Sequence, residues 1–197
     1  TENMQDRFAT AYSQFESKIL SKSYLAQGDN NQVLIYGVSQ KTLKMKDYGA
    51  TTIYLGNGEK NIDDYQNFTE LWGFKTLEKD VPKDVPVRIV ITINLTINKS
   101  VEEIYSTLLH EWYVHAVNWE GVVKYIRAGM GNYALPHVQG QGHEKRGKQE
   151  HMAFATMKDE QLEQMTDNLG LVDKQKEAVL SKLQADRNRH DKDTGEV

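Results

Sequence analysis

The 197-residue chain contains no cysteine. Disulfides, thiolate nucleophiles and every cysteine-ligated zinc or iron–sulfur site are therefore excluded. Basic residues are not in excess. The 24 Lys and Arg against 28 Asp and Glu give a formal charge of −4, which argues against a dedicated nucleic-acid binder. No apolar run is long enough to span a bilayer, and Thr1–Gln14 is too polar for a signal peptide. Proline is scarce at three residues, so little forces the chain out of regular structure. The length suits one domain with a full hydrophobic core, 1–197, in which 1–30 carries an N-terminal helix and 185–197 forms a flexible tail. The chain begins at Thr1 rather than Met, as expected of a processed protein or an excised domain.

Six histidines are present, and five of them (His110, His115, His137, His143 and His151) fall between residues 110 and 151. With cysteine absent, only histidine and carboxylate remain as strong ligands for a transition metal. The sixth, His190, lies in the charged C-terminal stretch and reads as solvated tail.

Periodicity sets the organisation around that cluster. Phe8, Tyr12, Phe15, Ile19 and Leu20 have helical spacing within Gln5–Leu25. Strands are expected at Gln32–Val38, Thr51–Leu55 and Val87–Ile97, the last alternating apolar and mostly polar residues. Ser100 and Glu103 form a capping-box pair that opens a helix from Val101 to about Asn118. Gly129–Gly147, with five glycines, reads as a long polar loop holding His137 and His143. Helices follow at Gln149–Asn168 and Leu171–Gln184. The fold class is α+β, a small mixed or antiparallel sheet with a metal-bearing helix and C-terminal helices.

The motif within the first of those helices is His110-Glu111-Trp112-Tyr113-Val114-His115, an HExxxH. In the zinc-protease HExxH the two histidines stand one turn apart and the glutamate is the general base. At about 100° per residue, an i,i+4 pair lies about 40° apart and an i,i+5 pair about 140° apart. A regular helix would splay His110 and His115 too widely to share an ion. A one-residue π-bulge between them would restore a common face. His110 and His115 are thus expected to ligate Zn²⁺, with Glu111 as the base. His151 is the leading third ligand and Glu150 the next, because His₂Glu sites are common. His143 could be a ligand or a catalytic transition-state donor. Tyr113, Tyr125 and Tyr133 are candidate oxyanion donors that the sequence does not separate. His137, alone after Pro136, reads as a polar loop residue. The glycine pairs near 129–131 and 140–142 follow no βαβ strand, so nucleotide binding is rejected.

The strand–cap–helix unit ending in this motif resembles the zincin fold, in which an edge strand beside the metal-bearing helix can bind an extended peptide. HExxxH is similar to the motif of dipeptidyl peptidase III-like metallopeptidases, whose second half supplies a glutamate ligand. Leu108–Ala116, the Gly/His-rich loop and Glu150-His151-Met152-Ala153-Phe154 look more like the metallopeptidase domains at the C-termini of bacterial polymorphic toxins. That resemblance implies a zinc peptidase that is secreted or delivered as an effector, acting on a protein or peptide in the target cytoplasm. It also implies an immunity-type inhibitor protein as partner. A different metal-dependent hydrolase, a nuclease toxin or a non-catalytic partner-binding domain are the alternatives.

Overall fold

The computed structural model describes residues 3–27, 31–39, 50–55, 87–121, 124 and 140–197. Helix α1 is Met4–Lys18, opened by the Asn3 side chain accepting the Asp6 N–H at 2.9 Å. Two 3₁₀ turns follow, Leu20–Lys22 and Tyr24–Ala26, where the sequence pattern suggests one continuous helix. Their apolar residues Leu20 and Leu25 are buried all the same, so the spacing reports burial more faithfully than helix type.

Strands β1 (Asn31–Val38), β2 (Ala50–Leu55) and β3 (Val87–Asn94) form a sheet in the order β1-β3-β2. β1 runs parallel to β3, pairing Ile35 with Ile91, and β2 runs antiparallel, pairing Ile53 with Ile89. The sheet is mixed, within an α+β chain that is mostly helical among the described residues. Ile89, Ile91 and Ile93 are all buried, as two-residue alternation requires of a central strand with one face on the core. β1 meets α1 at Gly37, where a Cβ would strike the Phe8 ring. β3 stops three residues earlier than its apolar alternation suggests. The Asn94 side chain accepts the Thr96 N–H at 3.0 Å, an Asx turn that takes Ile97 out to solvent.

Helix α2 (Val101–Leu109) starts as the capping pair predicts, with the Ser100 hydroxyl accepting the Glu103 N–H at 3.1 Å. The return bond is displaced by one residue, since Glu103 accepts the N–H of Lys99 at 3.0 Å. α2 continues into a π-helical turn, His110–His115, and then a 3₁₀ turn, Ala116–Trp119.

Helix α3 is Gly140–Ala155. It starts inside the stretch that the glycine content marks as loop; residues 129–139 lie outside the described part. The single helix expected over Gln149–Asn168 is two, α3 and α4 (Asp159–Asp167), because the chain bends at Thr156–Lys158 and the Gln161 side chain caps the Lys158 N–H at 2.9 Å. α4 closes at Gly170, whose φ of 64° is the left-handed geometry glycine adopts without strain.

Helix α5 (Asp173–Arg189) runs five residues beyond Gln184 and packs along α2. Ala185–Arg189 are therefore helix, not tail. Residues 191–197 fold back: Glu196 pairs with Lys148 of α3 at 3.4 Å, and Gly195 (φ 74°) sits so close that a Cβ would run into the Lys148 carbonyl oxygen. Among the described residues no helix is long and apolar enough to cross a membrane.

Candidate metal centre

The π turn is the distortion that the HExxxH spacing demands. Ala116 donates its N–H to both Glu111, five residues back, and Trp112, four back. The extra residue is absorbed between the two histidines, and the turn is held by packing. Trp112 is buried with its ring edge-on to Phe15 of α1, centroids 5.7 Å apart, and Val114 is buried as well. These contacts anchor one flank of the turn to the core while the imidazoles face α3 and α5.

Three imidazoles converge. His151 Nε2, from the fourth turn of α3, lies 2.8 Å from His115 Nε2 and 3.3 Å from His110 Nε2. Together they are close enough to hold a metal ion. Tetrahedral zinc with bonds of about 2.0–2.1 Å separates its ligand nitrogens by about 3.3 Å. One of the two spacings matches this and the other needs to open by roughly half an ångström, within the reach of small side-chain rotations.

The opposite nitrogens of two rings are held by carboxylates. His110 Nδ1 bonds Asp186 Oδ2 of α5 at 2.6 Å, and His115 Nδ1 bonds Glu150 Oε1 at 3.3 Å. Glu150 in turn accepts from Asn118 at 2.8 Å, and Asp186 is paired with Arg189 at 2.9 Å. A carboxylate on Nδ1 fixes the tautomer that leaves the lone pair on Nε2, which is how metal-binding histidines are commonly oriented.

The electrostatics follow the same contacts. Burial alone lowers the His110 pKa, but the Asp186 hydrogen bond and the charges of Glu111 and Asp186 outweigh it, and the net shift is upward. His151 is pushed down to about 3, first by burial and then by the positive charge of His115, His110 and His190 around it. Burial raises the Asp186 carboxyl, yet the hydrogen bond and charge of His110, with Arg189, bring it down to about 2. At neutral pH this leaves His151 uncharged and Asp186 ionised, the protonation states a metal ligand and its carboxylate partner need.

Of the expected site residues, His110, His115 and His151 come together, with Glu111 buried beside the first. Glu150, the alternative third ligand, turns its carboxylate to His115 Nδ1 and Asn118, so it supports a ring rather than joining the nitrogens. His143 sits in the first turn of α3, eight residues and about 12 Å of helix rise before His151. Its side chain lies outside the described part. Tyr113 is engaged elsewhere, its hydroxyl accepting from Asn168 at 2.9 Å. Tyr125, Tyr133 and His137 lie outside the described residues.

One expectation is reversed. His190 is not solvated tail. It is buried at the end of α5, with its ring centroid 4.5 Å from His151 and 5.6 Å from His110. Its Nδ1 bonds the Asp186 backbone carbonyl at 2.9 Å. Asp186, His190 and Asn118 are the site residues that sequence reasoning missed. The only available signal was Asp186-x-x-x-His190, an acid and an imidazole one helical turn apart in a polar segment. No family model, curated protein or solved structure matches the chain.

Proposed function

We propose that the chain is a zinc-dependent hydrolase, a metallopeptidase with a zincin-like arrangement in which the HExxxH motif works through its π turn. The observation that carries this reading is the convergence of three Nε2 atoms from His110, His115 and His151, with Glu111 adjacent in sequence to the first. A donor set of three neutral imidazoles, with no thiolate, is that of catalytic rather than closed structural zinc sites. Zinc, when bound, supplies a Lewis acid that polarises a carbonyl and acidifies water.

The chain's own groups do the rest. Asp186 and Glu150 hold the rings of His110 and His115 in the tautomer that presents Nε2. Glu111 takes the proton of the attacking water and returns one to the leaving amine. Phe154, buried and edge-on to the His110 ring at 5.0 Å, walls the site with apolar surface and strengthens the electrostatics inside it. The toxin or effector setting, delivery out of the producing cell, a protein or peptide substrate and an immunity-type inhibitor belong to the same proposal. Their support is the resemblance of Leu108–Ala116 and Glu150–Phe154 to polymorphic-toxin peptidase domains.

The test pairs two variants with metal analysis. Protein purified without chelator should carry about one zinc per chain. Glu111→Gln should keep the zinc and lose cleavage of a casein substrate, and His110→Ala should lose both. Full zinc content in Glu111→Gln with undiminished cleavage would overturn the peptidase reading.

A further inference from the structure

We infer that Asn118 is a positioning residue of the metal centre: its side-chain amide joins the backbone of the π turn to the carboxylate that orients His115. This inference rests on the zinc-site reading above and deepens it, because it lengthens the working motif from HExxxH to HExxxHxxN.

An amide nitrogen has two hydrogens and no further donor capacity. Asn118 Nδ2 lies 2.6 Å from the Val114 carbonyl oxygen and 2.8 Å from Glu150 Oε2, so one hydrogen serves each. The first contact follows from the change of winding. In an α-helix the Val114 carbonyl would receive the backbone N–H four residues on. Here the π turn gives way to the 3₁₀ turn Ala116–Trp119, where N–H groups reach back three residues instead. A carbonyl at such a junction must find its donor elsewhere, and the Asn118 side chain supplies it.

The second contact completes a carboxylate. Glu150 Oε1 takes the Nδ1–H of His115 at 3.3 Å, while Oε2 takes the Asn118 amide. The Glu150 side chain is only 10% exposed, so water is a poor substitute for a lost donor. The terminal torsion of a glutamate is broad. A carboxylate held at one oxygen turns about it, whereas one held at both has its plane fixed. The His115 contact is long for a charge-assisted bond, so this ring depends on a carboxylate that does not move.

The two ligands of the motif are thus held alike. Behind His110 stands Asp186, paired with Arg189 within α5, and behind His115 stands Glu150, paired with Asn118. Only the second arrangement returns to the motif's own backbone. The winding of the π turn therefore sets which way the His115 ring faces as well as where it stands.

Asparagine is the residue type that this place requires. Aspartate has the same shape but, ionised, only accepts, and it would set a second carboxylate against Glu150 and the Val114 carbonyl.

The test uses the full chain with nitrogen-15-labelled histidine, in chelator at about pH 8, above the ordinary histidine pKa. Long-range proton–nitrogen correlations then report the tautomer of each ring. Wild-type His115 should be the Nδ1–H tautomer, and Asn118→Ala should convert it to a mixture. Zinc affinity, measured by chelator competition, should fall about fivefold in Asn118→Ala, the worth of one net hydrogen bond. In Asn118→Asp it should fall about tenfold or more. A residue that merely closed the helix end would lower the thermal midpoint and move neither readout. A wild-type tautomer and wild-type zinc affinity in Asn118→Ala would therefore overturn the inference. So would an Nε2–H His115 in the wild type, a result that needs no variant to fold. No zinc uptake by the wild type would overturn the zinc-site reading alone, and the metal-free tautomers would still decide whether Asn118 orients His115.

Discussion

Asp186→Asn removes one charge from the site and almost no volume. In the folded chain the Asp186 carboxylate is buried, 2.6 Å from His110 Nδ1 and 2.9 Å from Arg189. Its pKa is held at about 2 instead of 3.8, a preference for the charged form worth about 2 kcal/mol. The coupling to His110 is one interaction seen from two sides, so it is counted once. The signs fix where it acts. Asp186 is depressed, so its contribution is complete above 3.8 and lost as pH falls from there to about 2. His110 is raised, so its contribution is complete below 6.5 and lost as pH rises through its folded value. In chelator, at pH 5.5, both conditions hold. Asp186→Asn should then unfold roughly 4–8 °C below the wild type, given about 2–4 °C per kcal/mol for a chain of this size. Near pH 2 the gap should close. With zinc present at neutral pH, affinity should drop about 10- to 100-fold, as the ring loses the carboxylate that orients it. Differential scanning calorimetry in EDTA and a chelator competition supply both numbers. A thermal midpoint within 1 °C of wild type at pH 5.5, together with zinc affinity changed less than about twofold, would refute the outer-carboxylate reasoning.

Other perturbations probe other parts of the argument. His151 titrates at about 3 in the folded chain against 6.5 for the free side chain, so the chelated protein should gain stability as pH rises from 3 to 6.5; urea melts across that range that weaken with rising pH would contradict it. Zinc uptake must displace the His110 proton, so affinity should begin to fall on acidification while the pH is still above 6.5, with proton release visible in calorimetry in buffers of different ionisation heat. Trp112→Ala empties the core behind the π turn and should cost about 3–5 kcal/mol in denaturant melts. Gly195→Ala forces a left-handed residue and a backbone clash with Lys148, so limited proteolysis should cut 191–197 faster than in wild type; an unchanged cleavage rate would show that the tail is not held there.

The parts of the site that the sequence makes legible are those where angular arithmetic applies. HExxxH specifies its own distortion, because two imidazoles 140° apart cannot share an ion. His151 follows from the scarcity of other donors. Asp186 and His190 escape because α5 is polar along its length, with Val179 and Leu183 buried inside it, and a polar helix end looks like a tail until its partner is known. Their partner, His110, is 76 residues away from Asp186, and no local pattern records such a distance. The sheet shows the same division. Alternation picks out β3, whereas the parallel pairing of β1 is a tertiary fact. α3 is hidden for another reason: glycines at 140, 142 and 147 lower helix propensity, and the helix forms regardless.

The π turn also constrains how this motif could change over generations. Deleting one residue among Trp112, Tyr113 and Val114 would turn HExxxH into HExxH and bring the histidines one ordinary turn apart. Because the π turn already absorbs that residue, the same deletion would leave the chain that follows close to its present orientation. Ala116 and Trp119 would stay buried and Asn118 beside Glu150, while the turn would lose one of the side chains that now pack it, such as Trp112 against Phe15. Shortening the motif therefore makes the helix regular and leaves the residues beyond it in place. The two spacings are separated by a length change that no single substitution bridges, and what holds the longer one is the packing of the turn's own side chains, Trp112 and Val114, on the core.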